Sequence, residues 1–163
     1  MIIEERVERS QYVKLITWIV SFIILMAGIV FPVLILWVNQ DMMSKVIGAS
    51  VLCLIFFTLI FTVAYQPRKL ILSETHIIME RILGQVYISY SDITDISLYH
   101  RENVAEIRIF GIGGLGGYIG KFYNSKIGFY TAYVGDYSQA FLIKINNREK
   151  YVMSCRHAEK IVE

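Results

Sequence analysis

Residues Leu15 to Val38 and Val46 to Tyr65 carry no charged side chain, and only Asn39-Gln40-Asp41-Met42-Met43-Ser44-Lys45 separates them. As helices rising about 1.5 Å per residue, the two runs reach roughly 36 and 30 Å, against a bilayer hydrocarbon core of about 30 Å. A helix of a soluble protein rarely stays apolar on every face over such a length. Two of them in sequence, joined by a short polar turn, predict a transmembrane hairpin with helices at 15–38 and 46–65 and a loop at 39–45. Every other segment has to be fitted around that hairpin.

The first run is longer than the apolar region of a signal peptide, and the segment before it is as acidic as it is basic. No small-residue cleavage site follows, so the run is expected to be retained. Arg6, Arg9 and Lys14 precede the first helix, Arg68 and Lys69 follow the second, and the loop between them holds only Lys45. The positive-inside rule then predicts that both termini lie in the cytoplasm. Trp18 and Trp37 stand near the two ends of the first run, where aromatic rings anchor at the headgroups, and Tyr65 could serve the second helix in the same way. Pro32 interrupts the first helix by one backbone donor, which membrane helices tolerate. Small residues (Ala27, Gly28, Gly48, Ala49, Ser50) allow close helix approach, against each other or against a partner. No Asp, Glu, Lys, Arg or His lies within either run. Proton relays and ion paths need such groups at membrane depth, so the hairpin reads as an anchor.

Roughly a hundred residues follow Tyr65, enough for one small domain with its own core. The formal charge is +2 with basic and acidic residues interleaved, which argues against a nucleic-acid partner. Cys53 and Cys155 are the two cysteines; one sits in the second apolar run and the other near the C-terminus, so neither a disulfide framework nor a zinc spacing exists. That usage suits a reducing compartment. Leu70 to Leu72, Thr75 to Glu80, Val86 to Tyr90, Ile93 to Tyr99, Val104 to Phe110, Phe129 to Val134, Gln139 to Asn146 and Tyr151 to Met153 are short segments of period two. Turn residues such as Leu83-Gly84, Gly135-Asp136 and Asn146-Asn147-Arg148 separate them, which predicts an antiparallel β-domain. Ala158 to Glu163 has helical composition, with Ser154 as its predicted N-cap. The expected organisation is a cytoplasmic N-terminal segment (1–14), the hairpin (15–65) and a cytoplasmic β-domain (66–163).

Gly111, Gly113 and Gly116 match GxGxxG, but that fingerprint needs a helix immediately afterwards to present backbone N–H groups to a phosphate. Strand-like sequence follows instead, and the P-loop pattern fails because Leu115 stands where its first glycine belongs. Two readings remain. Either the glycines supply sharp bends in a long β-connection, or Tyr118, Lys121, Phe122, Tyr123 and Lys126, an aromatic and basic mixture, form a loop resting on lipid headgroups. His76, His100 and His157 have no metal-ligand spacing. Cys155, next to Arg156 and His157, reads as structural. No catalytic, cofactor or metal site is predicted, and no enzyme.

The stretch Arg108-Ile109-Phe110-Gly111-Ile112-Gly113-Gly114-Leu115-Gly116-Gly117-Tyr118, continued by Gly120-Lys121-Phe122-Tyr123-Asn124-Ser125-Lys126-Ile127-Gly128-Phe129-Tyr130-Thr131-Ala132-Tyr133, resembles the signature of bacterial pleckstrin-homology (PH)-like domains. Lys150 to Ser154 resembles their late strand, ahead of a closing helix. The resemblance covers about Gln66 to Glu163. It implies a partly open, seven-stranded β-barrel closed at one end by a C-terminal helix, here of about two turns, with Arg156 and His157 where relatives often have proline and acidic residues. It implies no activity. The loop that binds phosphoinositides in eukaryotic relatives corresponds to Ser73-Glu74-Thr75, short and acidic, so that ligand does not transfer. The expected function is a non-catalytic binding or assembly module at the bilayer, taking a protein partner or another copy of itself by strand addition. The alternative is an accessory subunit of a membrane transport or envelope complex, acting through its hairpin.

Overall fold

The computed structural model describes residues 3–38, 41–101, 106–146 and 149–162. Asn39 and Gln40 of the predicted loop, Val104 and Ala105 of a predicted strand, Asn147 and Arg148 of a predicted turn, and Glu163 of the predicted terminal helix lie outside the described residues. The two apolar runs form helices α1 (Gln11–Val38) and α2 (Met42–Ala64). Ser10 caps α1, its Oγ accepting the Val13 N–H at 3.2 Å. Asp41 caps α2, its carboxylate accepting the Ser44 N–H at 3.0 Å. That backbone bond holds the Asp41 carboxyl below its usual value. Capping therefore starts α2 ahead of the charge-free run, and Met42 to Lys45 are helix rather than loop.

The helices pack on each other. A Cβ on Gly28 would lie 2.6 Å from Cδ1 of Ile55, so glycine permits this approach, and Gly48 is buried as well. Most other side chains of the pair face outward, including Trp18 (78% exposed) and Trp37 (86%). These indoles stand about 28 Å apart along the axis at 1.5 Å per residue, close to a bilayer core. Both helices are long and apolar enough to cross a membrane.

Among the described residues, ten strands make two sheets. The first contains β1 (Ile3–Arg6), β2 (Pro67–Leu72), β3 (His76–Arg81) and β4 (Gln85–Ser89), in that order and all antiparallel. The second contains β5 (Ile93–Leu98), β6 (Glu106–Gly113), β7 (Tyr118–Asn124), β8 (Gly128–Val134), β9 (Ala140–Ile145) and β10 (Lys150–Ser154), in the order β5-β9-β10-β8-β7-β6. Its β8–β10 pair is parallel. A single turn, α3 (Glu159–Val162), ends the described chain.

The segment ahead of the hairpin belongs to the β-domain. Ile3 pairs with Leu72 and Arg6 with Lys69, so the helical hairpin is inserted between two neighbouring antiparallel strands. The C-terminal turn closes over the same strand: the Arg156 N–H donates to the Arg6 carbonyl at 3.0 Å, and Glu5 lies 3.1 Å from His157 Nδ1.

One core lies between the sheets, built from Leu70, Ile77, Met79 and Ile88 against Phe141, Ile143 and Met153. The other face of the second sheet carries Phe122, Tyr130, Ala132, Leu142 and Val152 around Tyr99. Asn124 Nδ2 on β7 donates to the Tyr99 hydroxyl, just past β5, at 2.9 Å. Those strands are four positions apart, about 19 Å in a flat sheet, so the sheet curls over this second core. Among the described residues β5 and β6 do not pair with each other, so the curl does not close there.

Three expectations are thereby corrected. The β-domain is two sheets rather than one seven-stranded barrel, since β1 extends the first and the β6–β7 hairpin extends the second. The glycine-rich stretch is not a connection, because Tyr118–Asn124 is a strand; its tyrosines, Ile119 and Phe122 favour one, and pairing with two neighbours accommodates the single Gly120. Ser154 does not cap the terminal helix. It is buried at the end of β10, where its Oγ accepts the Gly135 N–H at 2.8 Å and satisfies a buried donor.

Candidate functional site at the helix–sheet junction

Glycines shape the β6–β7 hairpin for contact with α1. Gly111 and Gly120 face each other across the pair at φ of 123° and 122°. A Cβ on either would fall 2.1 or 2.3 Å from the opposing carbonyl oxygen of Ile119 or Phe110, a clash no side chain can relieve. The Gly114 N–H donates to the Gly117 carbonyl at 2.9 Å and closes the tip. There Thr17 of α1 donates its hydroxyl to the Val13 carbonyl at 2.6 Å and accepts the Gly116 N–H at 2.8 Å. Gly116 is further pressed by buried Gln66, whose Oε1 accepts from Arg9 Nη2 at 2.5 Å. No helix follows these glycines, so they build a hairpin seated on a helix and not a phosphate loop.

Two more turns meet the helix ends. The Ser10 N–H donates to the Gly135 carbonyl at 3.2 Å, and the Leu83 N–H donates to the Ala64 carbonyl at 2.8 Å. Ile82 and Leu83, in the β3–β4 turn beside the end of α2, are both exposed.

Between the end of α2 and strands β6 to β8 lies a cavity of about 240 Å³. Arg81, the last residue of β3, places its guanidinium 5.2 Å from the ring centre of Tyr65 and 5.5 Å from that of Tyr133. Its Nε is buried and has no hydrogen-bond acceptor among the described residues. Burial pushes the Tyr133 phenol above its usual value, with Arg81 opposing, so this tyrosine stays neutral beside the cation. Lys121 also lines the cavity, with apolar walls from Phe61, Phe110, Ile112 and Ile119.

Strand periodicity separates the five residues singled out in the sequence. Tyr118 and Phe122 point into the second core, Phe122 at 3% exposure, so its ring is not available to a lipid surface. Lys121 points the other way, into the cavity wall. Tyr123 packs edge-on against Phe129, ring centres 5.0 Å apart. Lys126 lies in the β7–β8 turn, at the opposite end of β7 from the glycine tip, about 20 Å along a strand. Of the five, only Lys121 joins the junction cavity. The sequence marks Tyr65 as a headgroup anchor and Tyr133 within the family signature, but it gives no sign of Arg81, because nothing local distinguishes an arginine at a strand end that meets aromatic rings from a solvated one.

A second polar cluster is structural. Glu106, its side chain 4% exposed, lies 2.6 Å from Arg101 Nε and accepts from the hydroxyls of Tyr130 and, at 2.8 Å, Tyr137. Arg101 in turn sits over the rings of Tyr118 and Tyr137 at 5.1 and 4.7 Å. Burial, then the Glu106 carboxylate, drives the Tyr137 phenol far upward. Cation, anion and phenols are engaged with one another, which ties the end of the β5–β6 connection to the second core. Cys155 is likewise inert: it is buried, and burial pushes its thiol up to about 11, away from the thiolate that reactivity requires.

The family profile described as bacterial PH domain matches residues 68–163, well over half of the chain. The chain belongs to that family. No curated protein and no solved structure matches it. Within this bacterial PH domain the match takes in β2 from Arg68 onward, the remaining strands and α3, whereas β1, α1 and α2 lie outside it. The junction cavity thus draws Arg81, Lys121 and Tyr133 from the bacterial PH domain proper and Phe61 and Tyr65 from the helical insertion. The β2–β3 connection, Ser73 to Thr75, has no basic residue, and the Thr75 hydroxyl is engaged with His76 Nδ1 at 2.7 Å.

Proposed function

We propose that this protein is a membrane-anchored bacterial PH domain that acts without catalysis, as a binding or assembly module held against the cytoplasmic leaflet of the bacterial inner membrane. The observation that carries this reading is the insertion of the helical hairpin between β1 and β2, with hydrogen bonds from both helix ends to the sheets. A domain so joined is fixed to the helices at its tips, unlike one on a flexible linker. Arg9, Lys14 and Arg68 cluster where the helices meet the sheets, which supports a cytoplasmic β-domain. The binding surface that fits best is β6, the edge of the second sheet, where Ile107, Ile109 and Phe110 are all exposed. An unpaired edge with apolar side chains is suited to strand addition by a peptide or by a second copy.

Crosslinking in intact membranes from a photoreactive residue at Ile109, combined with replacement of α1 and α2 by an unrelated two-helix anchor, tests this. Capture of the same partner by the swapped protein supports the reading. Loss of capture on the swap moves the function to the hairpin, as an accessory subunit would require. A C-terminal reporter outside the cytoplasm would overturn the orientation.

A further inference from the structure

The cavity beside Arg81 opens at the level where α2 ends, because Phe61 in the last turn and Tyr65 at its C-cap form one wall. Its eleven lining residues include two cations, Arg81 and Lys121, and no carboxylate. Stacking between Tyr65 and Tyr133 stabilises the guanidinium through the ring faces, but its N–H groups point out around its own plane and are not used by those rings. Arg81 makes no ion pair among the described residues, and its buried Nε has no acceptor there. A buried charged donor left unpaired is costly, so the site favours an anion. Its other walls are aromatic and aliphatic, and Phe61 and Phe110 at its margins are exposed. The fitting ligand is therefore anionic at one end and apolar beyond it. The volume, about 240 Å³, is below the roughly 300–1,000 Å³ of sites that enclose a whole ligand. Only the head end of such a molecule enters.

We propose that this cavity binds the phosphate end of one anionic phospholipid from the surrounding bilayer, the phosphate between Arg81 and Lys121 and the acyl chains leaving along Phe61 and Phe110. The assignment rests on the membrane reading above. A planar arginine fork suits a phosphodiester, and a lysine adds a point charge beside it. Free phosphate would use the cations but leave the apolar wall wet. The apolar side chain of a second copy would cover the wall but leave Arg81 without an anion.

The test uses the full chain, purified in mild detergent, stripped of lipid, and followed by native mass spectrometry on adding phosphatidylglycerol or phosphatidylcholine. One phosphatidylglycerol should remain bound under conditions that remove phosphatidylcholine. Arg81→Gln and Lys121→Gln should each lower its retention by about tenfold or more, as expected for a lost charge-assisted contact; Lys126→Gln should not. Because Lys121 is exposed, its variant keeps the fold, and unchanged retention in that variant overturns the proposal. Equal protection against melting by inorganic phosphate and by phosphatidylglycerol also overturns it, in favour of a free anion. Carbonate extraction of the source membranes separates the two failures. Protein that stays in the pellet yet holds no phosphatidylglycerol refutes the lipid site alone, whereas protein released to the supernatant refutes the membrane reading beneath it.

Discussion

Thr17, in the second turn of α1, accepts the backbone N–H of Gly116 at 2.8 Å, 99 residues further along the chain. The same hydroxyl donates to the Val13 carbonyl, so its acceptor lone pairs are turned toward the glycine tip. A side chain on the helix thereby satisfies a backbone donor on the sheet, and the sheet domain is keyed to one height on the hairpin.

Thr17→Val keeps the shape and removes the acceptor. We expect a loss of about 1–3 kcal/mol, the cost of leaving a partly buried N–H unpaired. Hydrogen exchange of the Gly116 amide should accelerate in this variant and be restored in Thr17→Ser. Unchanged exchange would mean that the contact does not hold the tip.

Gly120→Ala puts a Cβ 2.3 Å from the Phe110 carbonyl oxygen and demands φ near 122° of an alanine. Backbone strain alone costs about 1–3 kcal/mol, and here the atoms that the new Cβ meets are all backbone. Thermal melting in detergent should drop clearly for Gly111→Ala and Gly120→Ala. Gly113→Ala, where the nearest atoms lie 3.6 Å away, should melt close to the parent.

The pairing of β1 with β2 makes a further expectation. Residues 66–162 expressed alone lack the strand that covers β2, and lose the Arg6–Arg156 backbone bond as well. An uncovered edge of this kind invites aggregation. Residues 3–10 joined to 66–162 by a short Gly/Ser turn should instead give a monomeric β-domain, because Val7 already donates to the Arg68 carbonyl at 3.0 Å. Size-exclusion chromatography of the two distinguishes them; a monomeric, folded 66–162 would show that β1 is dispensable.

Alkaline pH should weaken the fold. Burial, with the Glu5 carboxylate adding and a His157 backbone hydrogen bond opposing, raises the Cys155 thiol from 9.0 to about 11. Burial and then Glu149 raise the Tyr151 phenol from 10.0 to about 12. Both acids are protonated in folded and unfolded chains below about pH 9, so their contribution is fully present there. Above it the unfolded chain releases these protons first, and stability falls as pH rises through about 11 to 12. Melting temperature should be level up to about pH 9 and decline beyond, with a shallower decline in Cys155→Ala. A maleimide at pH 8 should leave Cys155 unmodified until the protein is denatured.

Much of this architecture is legible from residue order, for a local reason. Water or lipid around a segment sets its hydrophobic period, so the charge-free runs announce α1 and α2, and the alternation of Ile143 and Ile145 announces β9. The failure of the GxGxxG reading is equally local, since it turns on the strand that follows. Period two assigns Lys121 and Phe122 to opposite faces, but says nothing about what covers either face.

By itself, then, the sequence determined two membrane-length helices, a β-rich remainder and the turns at Leu83-Gly84 and Gly135-Asp136, because each depends on neighbours a few residues away. Only the tertiary structure decided that Ile3–Arg6 pairs with Pro67–Leu72, that the strands divide into two sheets, and that Phe122 is core while Lys121 lines a cavity. Those outcomes arise from pairings between segments far apart in the chain, where the side chains that meet share no local pattern. Arg81 is the clearest case: an arginine at a strand end becomes a half-buried cation with a buried, unpaired Nε only because Tyr65 at the end of a helix and Tyr133 from a distant strand flank it.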